Sequence, residues 1–548
     1  MKQYISILTI FLLGLSMTSC DDFFSSDPDD KLLEKDYPST RTELISGFLG
    51  ISAKVQAVAD HALLVEGIRG NLFEPTETAT GEILDLYNYV DNLEGNQLAN
   101  PAPYYEVILN ANDYISHASG FYKNYSSSID QAEFDALIAG ALRYKTWAYS
   151  MIAKLYGEAI WVNDPLAKYQ GLSDYPTLNL EAVMDSCINT LENGVVIEGR
   201  RIDGKARLNW GAIFGDNSVT SELNLFVPPA EALLTEFYLF KGNYQKVLEN
   251  GFATLNLGLE HSSTAPSYQI GNTEYNGEWV DIFRKYVRHE HIFYVRYNYE
   301  NKQTNRVLDY LSDDALCNYY LRPTEAIMDM FESQVSAFGQ PGDKWRGIDR
   351  SIMRSRNNPA NWIFWKYVSD PSSKGESYRG DLNISICRAS DIHLWITEAL
   401  VALDRLDAAT VLFEQGVGSY YNPTDGTFRA PITDFPLCLR AGSSTTTNMG
   451  IRGRVELRTI ATPMLRDTSL SDAEKKKIFF EMIVDETLLE SVGEARGLFA
   501  MIRAAKYFND PSIVADRVSA KYPIGKRGEI RAKLLNPENW FIKYDLKK

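Results

Sequence analysis

The residues of this chain best suited to hold a ligand are aromatics set beside amides and arginines. They are Tyr87-Asn88-Tyr89 with Asn92, Tyr319-Tyr320, Trp345 next to Arg346, and Trp362 with Trp365. Arg69-Gly70-Asn71 adds a guanidinium and an amide around a glycine. Aromatic faces cover apolar surface, and amide or guanidinium edges satisfy hydrogen-bonding groups. The same residue types also fill cores, so the expectation attaches to the set rather than to one member. The candidate contacts are Arg69, Asn71, Tyr87, Asn88, Asn92, Tyr319, Tyr320, Trp345 and Trp362. Covalent chemistry has little to work with. There is no GxSxG elbow, no phosphate-cradling glycine loop and no metal-spaced set of histidines and carboxylates. His289-Glu290-His291 lacks the four-residue spacing of a zinc-peptidase helix and reads as alternation in a strand. Paired carboxylates would serve a glycosidase, but 72 acidic residues make chance pairs certain. The expectation is a non-catalytic binding protein with no cofactor and no metal.

Cys20 is the other residue whose position implies chemistry. Lys2 precedes an apolar run from Tyr4 to Leu15, and Met17-Thr18-Ser19 leads straight into the cysteine. A bilayer core needs about 20 apolar residues, so this run is a signal segment and not a span. The arrangement resembles the bacterial lipobox, which implies cleavage after residue 19 and lipidation of Cys20. Residues 20–39 then form an acidic tether, and residues 40–548 a single body with parts at about 40–330 and 331–548.

Composition narrows the partners. The 548-residue chain carries a net charge of −17, with 45% apolar and 23% charged residues. Those fractions are those of a globular protein. The acidic balance argues against nucleic acid and anionic lipid surfaces, which both require a basic face. Cys187, Cys317, Cys387 and Cys438 are widely separated without metal spacing. A chain of this length needs no staples, so free and mostly buried thiols are expected.

The elements that must position these residues are helical. Apolar residues from Leu44 to Val55 recur at helical spacing within a helix expected over Thr40–Ala57, and a second helix fits Tyr104–His117. Asp130–Tyr156 is the most periodic stretch and ends at Gly157. Pairs with tight turns follow: Pro229–Lys241 with Tyr244–Leu257, and Ser390–Leu403 with Leu406–Gln415. Ser471-Asp472-Ala473-Glu474 is a capping box opening a helix to about Leu489, and another fits Glu494–Phe508. Long segments without helical period lie between, at roughly 195–228, 258–320, 335–387 and 419–465. The fold expected is mostly α, a tetratricopeptide-like scaffold of helical pairs with aromatic-rich loops and minor β structure.

Several blocks in order resemble the SusD/RagB family of Bacteroidota outer-membrane lipoproteins. They are Tyr104-Tyr105 with Asn110 and Asn112, Arg388-Ala-Ser-Asp391 with Glu398, Gly450-Ile-Arg452-Gly-Arg454, and Glu486, Glu490, Glu494, Arg496 and Arg503. Ala495 stands where the family's signature has glycine, and the tail Leu534–Tyr544 lacks the family's Pro-Ile-Pro strand. The resemblance implies a SusD-like fold and a surface-exposed, lipid-anchored protein at the outer membrane. It implies capture of an oligosaccharide, whose pyranose rings suit the aromatic loops, and delivery to a TonB-dependent SusC-like transporter. A peptide-binding lipoprotein on the same scaffold and a structural helical-repeat adaptor stay open as alternatives. Arg388, Asp391, Glu490, Glu494, Arg496 and Arg503 are read as a structural salt-bridge network. In that reading Arg388 pairs with Asp391 at helical spacing, and Glu490, Glu494, Arg496 and Arg503 lie on adjacent turns of helix.

Overall fold

The computed structural model describes residues 37–214, 226–257, 268, 270, 278–284, 290–368, 380–414, 416 and 450–547. The signal segment, Cys20, most of the tether, His289 and Cys438 lie outside the described residues. Helices dominate. In chain order the main ones are α1 (Arg41–Arg69), α2 (Gly81–Tyr87), α3 (Ala102–Tyr125), α4 (Gln131–Tyr156), α5 (Leu180–Asn193), α6 (Ala230–Phe240) and α7 (Tyr244–Asn256). They continue with α8 (Ala389–Ala402), α9 (Leu406–Phe413), α10 (Asp472–Glu490), α11 (Gly497–Phe508), α12 (Ser512–Ser519) and α13 (Ile524–Leu534). From α3 to α8 each helix packs on the next; α8 then packs on α9 and α10, and α10 on α11. That is the layered stacking of a helical-repeat scaffold, in which no pair buries its apolar face alone.

Caps set the boundaries. The Thr40 hydroxyl accepts from Glu43 N, and Glu43 returns a carboxylate oxygen to Thr40 N, which starts α1. Asp130 caps α4 at Ala132 and Glu133, and Gly157 ends it in the left-handed region at φ 79°. Gly194 ends α5 at φ 60°, and a Cβ there would sit 1.7 Å from the Ile202 carbonyl oxygen. Only glycine fits that approach. Ser471 and Glu474 cap α10 reciprocally.

Two expectations about these helices are corrected. Helix α1 does not stop near Ala57; it runs to Arg69, and every residue from Val58 to Arg69 is buried. Buried Asp60, His61, Glu66 and Arg69 interrupt the apolar residues of this half, so it shows no continuous apolar stripe. By length and hydropathy α1 would cross a membrane, yet it packs against α3, α4 and α11 as a core helix. Helix α11 begins at Gly497 and not at Glu494. Residues 491–496 form a turn in which Gly493 (φ 73°) and Ala495 (φ 61°) are left-handed. Glu490, Glu494 and Arg496 are therefore not neighbours on one helix.

The β structure is a set of two-stranded antiparallel pairs. Those that bear on the site are β1 (Phe73–Pro75), β2 (His291–Arg296), β3 (Leu321–Pro323), β4 (Met353–Arg354), β5 (Trp362–Ile363) and β6 (Asn383–Arg388). β1 pairs with β3, β4 with β5, and β2 with β6.

A buried ion network joins this β region to the helices. Arg388 donates to Glu290 (2.7 Å), Glu490 (3.1 Å) and Glu494 (2.8 Å). Arg346 meets Asp343 (2.6 Å), Glu490 (2.8 Å) and Glu486. Arg452 meets Glu486, Arg454 meets Glu290 and Glu490, and Lys366 meets Glu494 (2.8 Å). Burial alone would raise the Glu494 carboxyl, but Arg388, Lys366 and Arg496 outweigh it and hold it down at about 2. Burial pushes the Lys366 ammonium down to about 8 against the pull of Glu494.

Two members of the expected network pair elsewhere. Asp391 takes the Arg388 backbone N–H (2.8 Å) at the start of α8, and its carboxylate pairs with Arg496 (3.1 Å), not with the Arg388 guanidinium. Arg503 forms its own pair with Glu398 (2.9 Å). The network has a positional consequence. Arg346 fixes the loop that carries Trp345 to α10, and Lys366 fixes the segment that carries Trp362 and Trp365 to the 491–496 turn.

Candidate functional site

The candidate residues divide into those built into the body and those that share one face. Arg69 and Asn71 are buried and are corrected as ligand contacts. The Arg69 guanidinium donates to the Asn539 and Phe541 carbonyls (both 2.9 Å) and lies 4.3 Å from the Tyr89 ring centre. Its role is to bind the C-terminal segment to the end of α1. Asn71 sits beneath β3, where its carbonyl accepts from Thr324 Oγ1. Asn88 accepts from Lys526 Nζ, and Asn92 is exposed with its side chain on Glu94 N (3.0 Å). Trp345 is half-buried, its indole N–H donating to Glu456 (3.0 Å).

Tyr319, Tyr320 and Trp362 come together. Tyr319 takes a left-handed backbone (φ 53°), which turns the chain into β3. Its carbonyl accepts from the Thr76 and Thr78 hydroxyls of the segment after β1, and its own hydroxyl donates to the Trp362 carbonyl (2.7 Å). Burial raises the Tyr319 phenol well above the usual range, with Asp313 adding to it. The next residue, Tyr320, accepts from Thr76 N (2.9 Å) and meets Tyr310 edge-to-face, with ring centres 5.0 Å apart. Cross-strand from Trp362 stands Arg354, whose guanidinium lies 4.0 Å from the Trp362 ring centre. Behind this hairpin Asp313 accepts from the Ser355 hydroxyl (2.5 Å) and the Asn361 amide (2.9 Å).

Tyr87, at the end of α2, borders the same sheet. Burial raises its phenol, and so does the carboxylate of Glu74, which pairs across β1 and β3 with Arg322 (2.6 Å). The Tyr87 ring packs on Tyr522 (4.6 Å between centres) and on the Lys521 ammonium (4.6 Å), and its carbonyl accepts from the Tyr522 hydroxyl. Helix α13 and the turn before it thus hold the 87–91 turn from behind, with Lys526 on Asn88 and Lys533 on the Tyr89 carbonyl.

The result is an open aromatic platform carried on pinned loops: Tyr87, Tyr310, Tyr320 and Trp362, all half-buried, with Arg322 and Arg354 exposed among them. Two cavities lie apart from it. One of about 50 Å³ is enclosed beside the Lys154–Glu236 pair, and a cleft of about 480 Å³ runs along the first half of α1 toward Tyr294 and Asn298. Neither is lined by an aromatic of the platform. Such a face suits an extended ligand laid across it better than a small molecule enclosed on all sides. Among the described residues no group of three or more histidines, cysteines and carboxylates is placed to hold a metal ion. Cys187 and Cys387 are buried free thiols, and Cys317 is a half-buried one. Burial, with Asp314, Asp309 and Asp313 nearby, pushes Cys317 up to about 12.

Tyr310, Arg354, Thr76 and Thr78 are absent from the sequence-based set. Arg354-Ser355-Arg356 carried a signal that would have found the arginine. Its alternation places Ser355 inward and both arginines outward. The threonines gave none, because their contact is made across more than two hundred residues.

No protein-family model and no curated protein matches the chain. Solved structures do. A SusD superfamily protein of Bacteroides thetaiotaomicron is 16% identical, covering 92% of this chain and 94% of its own, with a TM-score of 0.58. A SusD-like carbohydrate-binding protein of Bacteroides vulgatus is 14% identical over 85% of this chain and 83% of its own, with a TM-score of 0.53. A laminarin-binding SusD-like protein is 13% identical over 92% of this chain and 99% of its own, also at 0.53. At these identities the likeness establishes the fold: the chain has the SusD-like fold.

Proposed function

We propose that this chain, with its SusD-like fold, is a SusD/RagB-type protein that binds an oligosaccharide on the platform of Tyr87, Tyr310, Tyr320 and Trp362. The observation that carries the reading is the way these rings are held. Each is half-buried; the Tyr87 and Trp362 carbonyls take side-chain hydrogen bonds from another element, and the Tyr320 carbonyl takes the Thr76 backbone N–H. Rings whose positions are fixed before binding lose little entropy when a sugar stacks on them. The solved neighbours include proteins described as carbohydrate-binding and laminarin-binding, which supports the same ligand class.

The rest of the reading follows from the sequence. Cys20 anchors the protein by lipid to the outer membrane, facing the exterior, and a SusC-like TonB-dependent transporter receives the ligand. Capture is non-catalytic. Titration calorimetry with a bound oligosaccharide, followed by chromatography of the mixture, tests the proposal. Saturable binding that Tyr320→Ala weakens, with the oligosaccharide recovered intact, supports it. Cleaved products would replace binding with catalysis.

A further inference from the structure

Arg350, Arg354 and Arg356 follow one another within a short stretch, and each lies over a tryptophan. Arg354 is 4.0 Å from the Trp362 ring centre, Arg356 is 4.9 Å from Trp365, and Arg350 is 5.8 Å from Trp345. Arg354 and Arg356 are exposed and alternate with the inward Ser355, so both project from the same side of the hairpin. Among the described residues none of the three has a carboxylate within ion-pair distance. Among the described residues the one hydrogen bond of the Arg354 guanidinium is to the Ala360 carbonyl (3.0 Å).

Nearby carboxylates are committed to other groups: Asp313 to Ser355 and Asn361, Asp309 to Asn318, Glu74 to Arg322, and Asp343 to Arg346. Other arginines near the site do pair with carboxylates, Arg322 with Glu74 and Arg346 with Asp343. Arg350, Arg354 and Arg356 stay unpaired beside the platform, with the exposed amides of Asn357 and Asn358 following. Stacking on indole leaves the guanidinium edge, and its N–H groups, pointing outward for a planar or tetrahedral anion. We infer that the oligosaccharide bound here is anionic, carrying carboxylate or sulfate groups that Arg354 and Arg356 bind while its rings lie on Trp362 and Tyr320. The inference rests on the glycan reading above and adds the charge of the ligand to it.

Three probes separate the possibilities by calorimetry: neutral laminarihexaose, a hexagalacturonate carrying carboxylates only, and a carrageenan hexasaccharide carrying sulfates only. The expected result is that one acidic probe binds about tenfold or more tightly than laminarihexaose. That advantage should collapse at about 1 M salt, where screening acts within a few ångströms. The exposed double variant R354Q/R356Q should lose the advantage with its unfolding midpoint unchanged, and R354K/R356K should recover part of it. Preference for a carboxylate or a sulfate probe identifies the anion. Laminarihexaose bound as tightly as both acidic probes, or acidic binding indifferent to R354Q/R356Q, overturns the inference while the glycan reading stands. Silence of all three probes, with tight binding of a poly-glutamate peptide in their place, overturns both.

Discussion

The Tyr319 hydroxyl donates to the Trp362 carbonyl at 2.7 Å, and this bond joins two loops that the chain separates by more than forty residues. Tyr319 in turn receives the Thr76 and Thr78 hydroxyls, so three parts of the chain meet at one tyrosine. Removing its hydroxyl should uncouple the hairpin from β3 without opening the core. Tyr319→Phe should cost about 1 kcal/mol of stability, raise amide hydrogen exchange across residues 353–363, and weaken ligand binding severalfold. Exchange at those amides equal to that of the unaltered chain would show that the bond does not position Trp362.

The Arg388 network makes a stronger demand. Arg388 neutralises parts of Glu290, Glu490 and Glu494, all buried. Arg388→Met leaves buried carboxylates short of a partner, which costs about 3–5 kcal/mol for a broken buried pair. Urea denaturation should show that loss. Because Lys366 shares Glu494, the segment carrying Trp362 and Trp365 should loosen with it. A variant as stable as the parent would mean the other arginines suffice.

Glu66 gives a pH dependence of known sign. Burial raises its carboxyl to about 7, against the opposing pull of the Leu498 N–H, Arg496 and Lys521. Between about pH 4.5 and 7 the folded chain keeps this proton and the unfolded chain has released it, so this group's contribution to stability falls as pH rises. Glu66→Gln should remove that contribution, about 3 kcal/mol over the window, and flatten the profile there. Denaturation midpoints measured at several pH values check it; an unchanged slope would place Glu66 in its charged form throughout.

Lipid anchoring has its own test at Cys20. Cys20→Ala should move the protein from the outer-membrane fraction to the soluble periplasmic fraction of the producing cell. Continued outer-membrane fractionation would remove the anchor from the account.

Much of the scaffold is written in local pattern. The pairs α6–α7 and α8–α9 stand out because their apolar residues recur at helical spacing and a tight turn joins each pair. Ser471 and Glu474 announce α10 by spacing alone. The second half of α1 is hidden because Asp60, His61, Glu66 and Arg69 interrupt its apolar residues although all of them are buried. Helix α5 is also missing from the sequence reading, although Asn179 and Gly194 mark its ends. At the site, aromatic residue types point to Tyr320 and Trp362, but Arg69 carries the same polar signature and is consumed by the C-terminal segment, and Asn71 is buried. Whether a polar side chain faces a ligand or a distant carbonyl depends on contacts between residues far apart in sequence. Local composition does not encode that choice.

A glycan array probed with the chain lacking residues 1–19, and again with its Trp362→Ala variant, tests the central claim most directly. The account predicts a defined group of oligosaccharides bound by the first and lost or strongly weakened with the second, at equal folding. An array on which no oligosaccharide is retained, or one on which Trp362→Ala binds as the parent does, would contradict it.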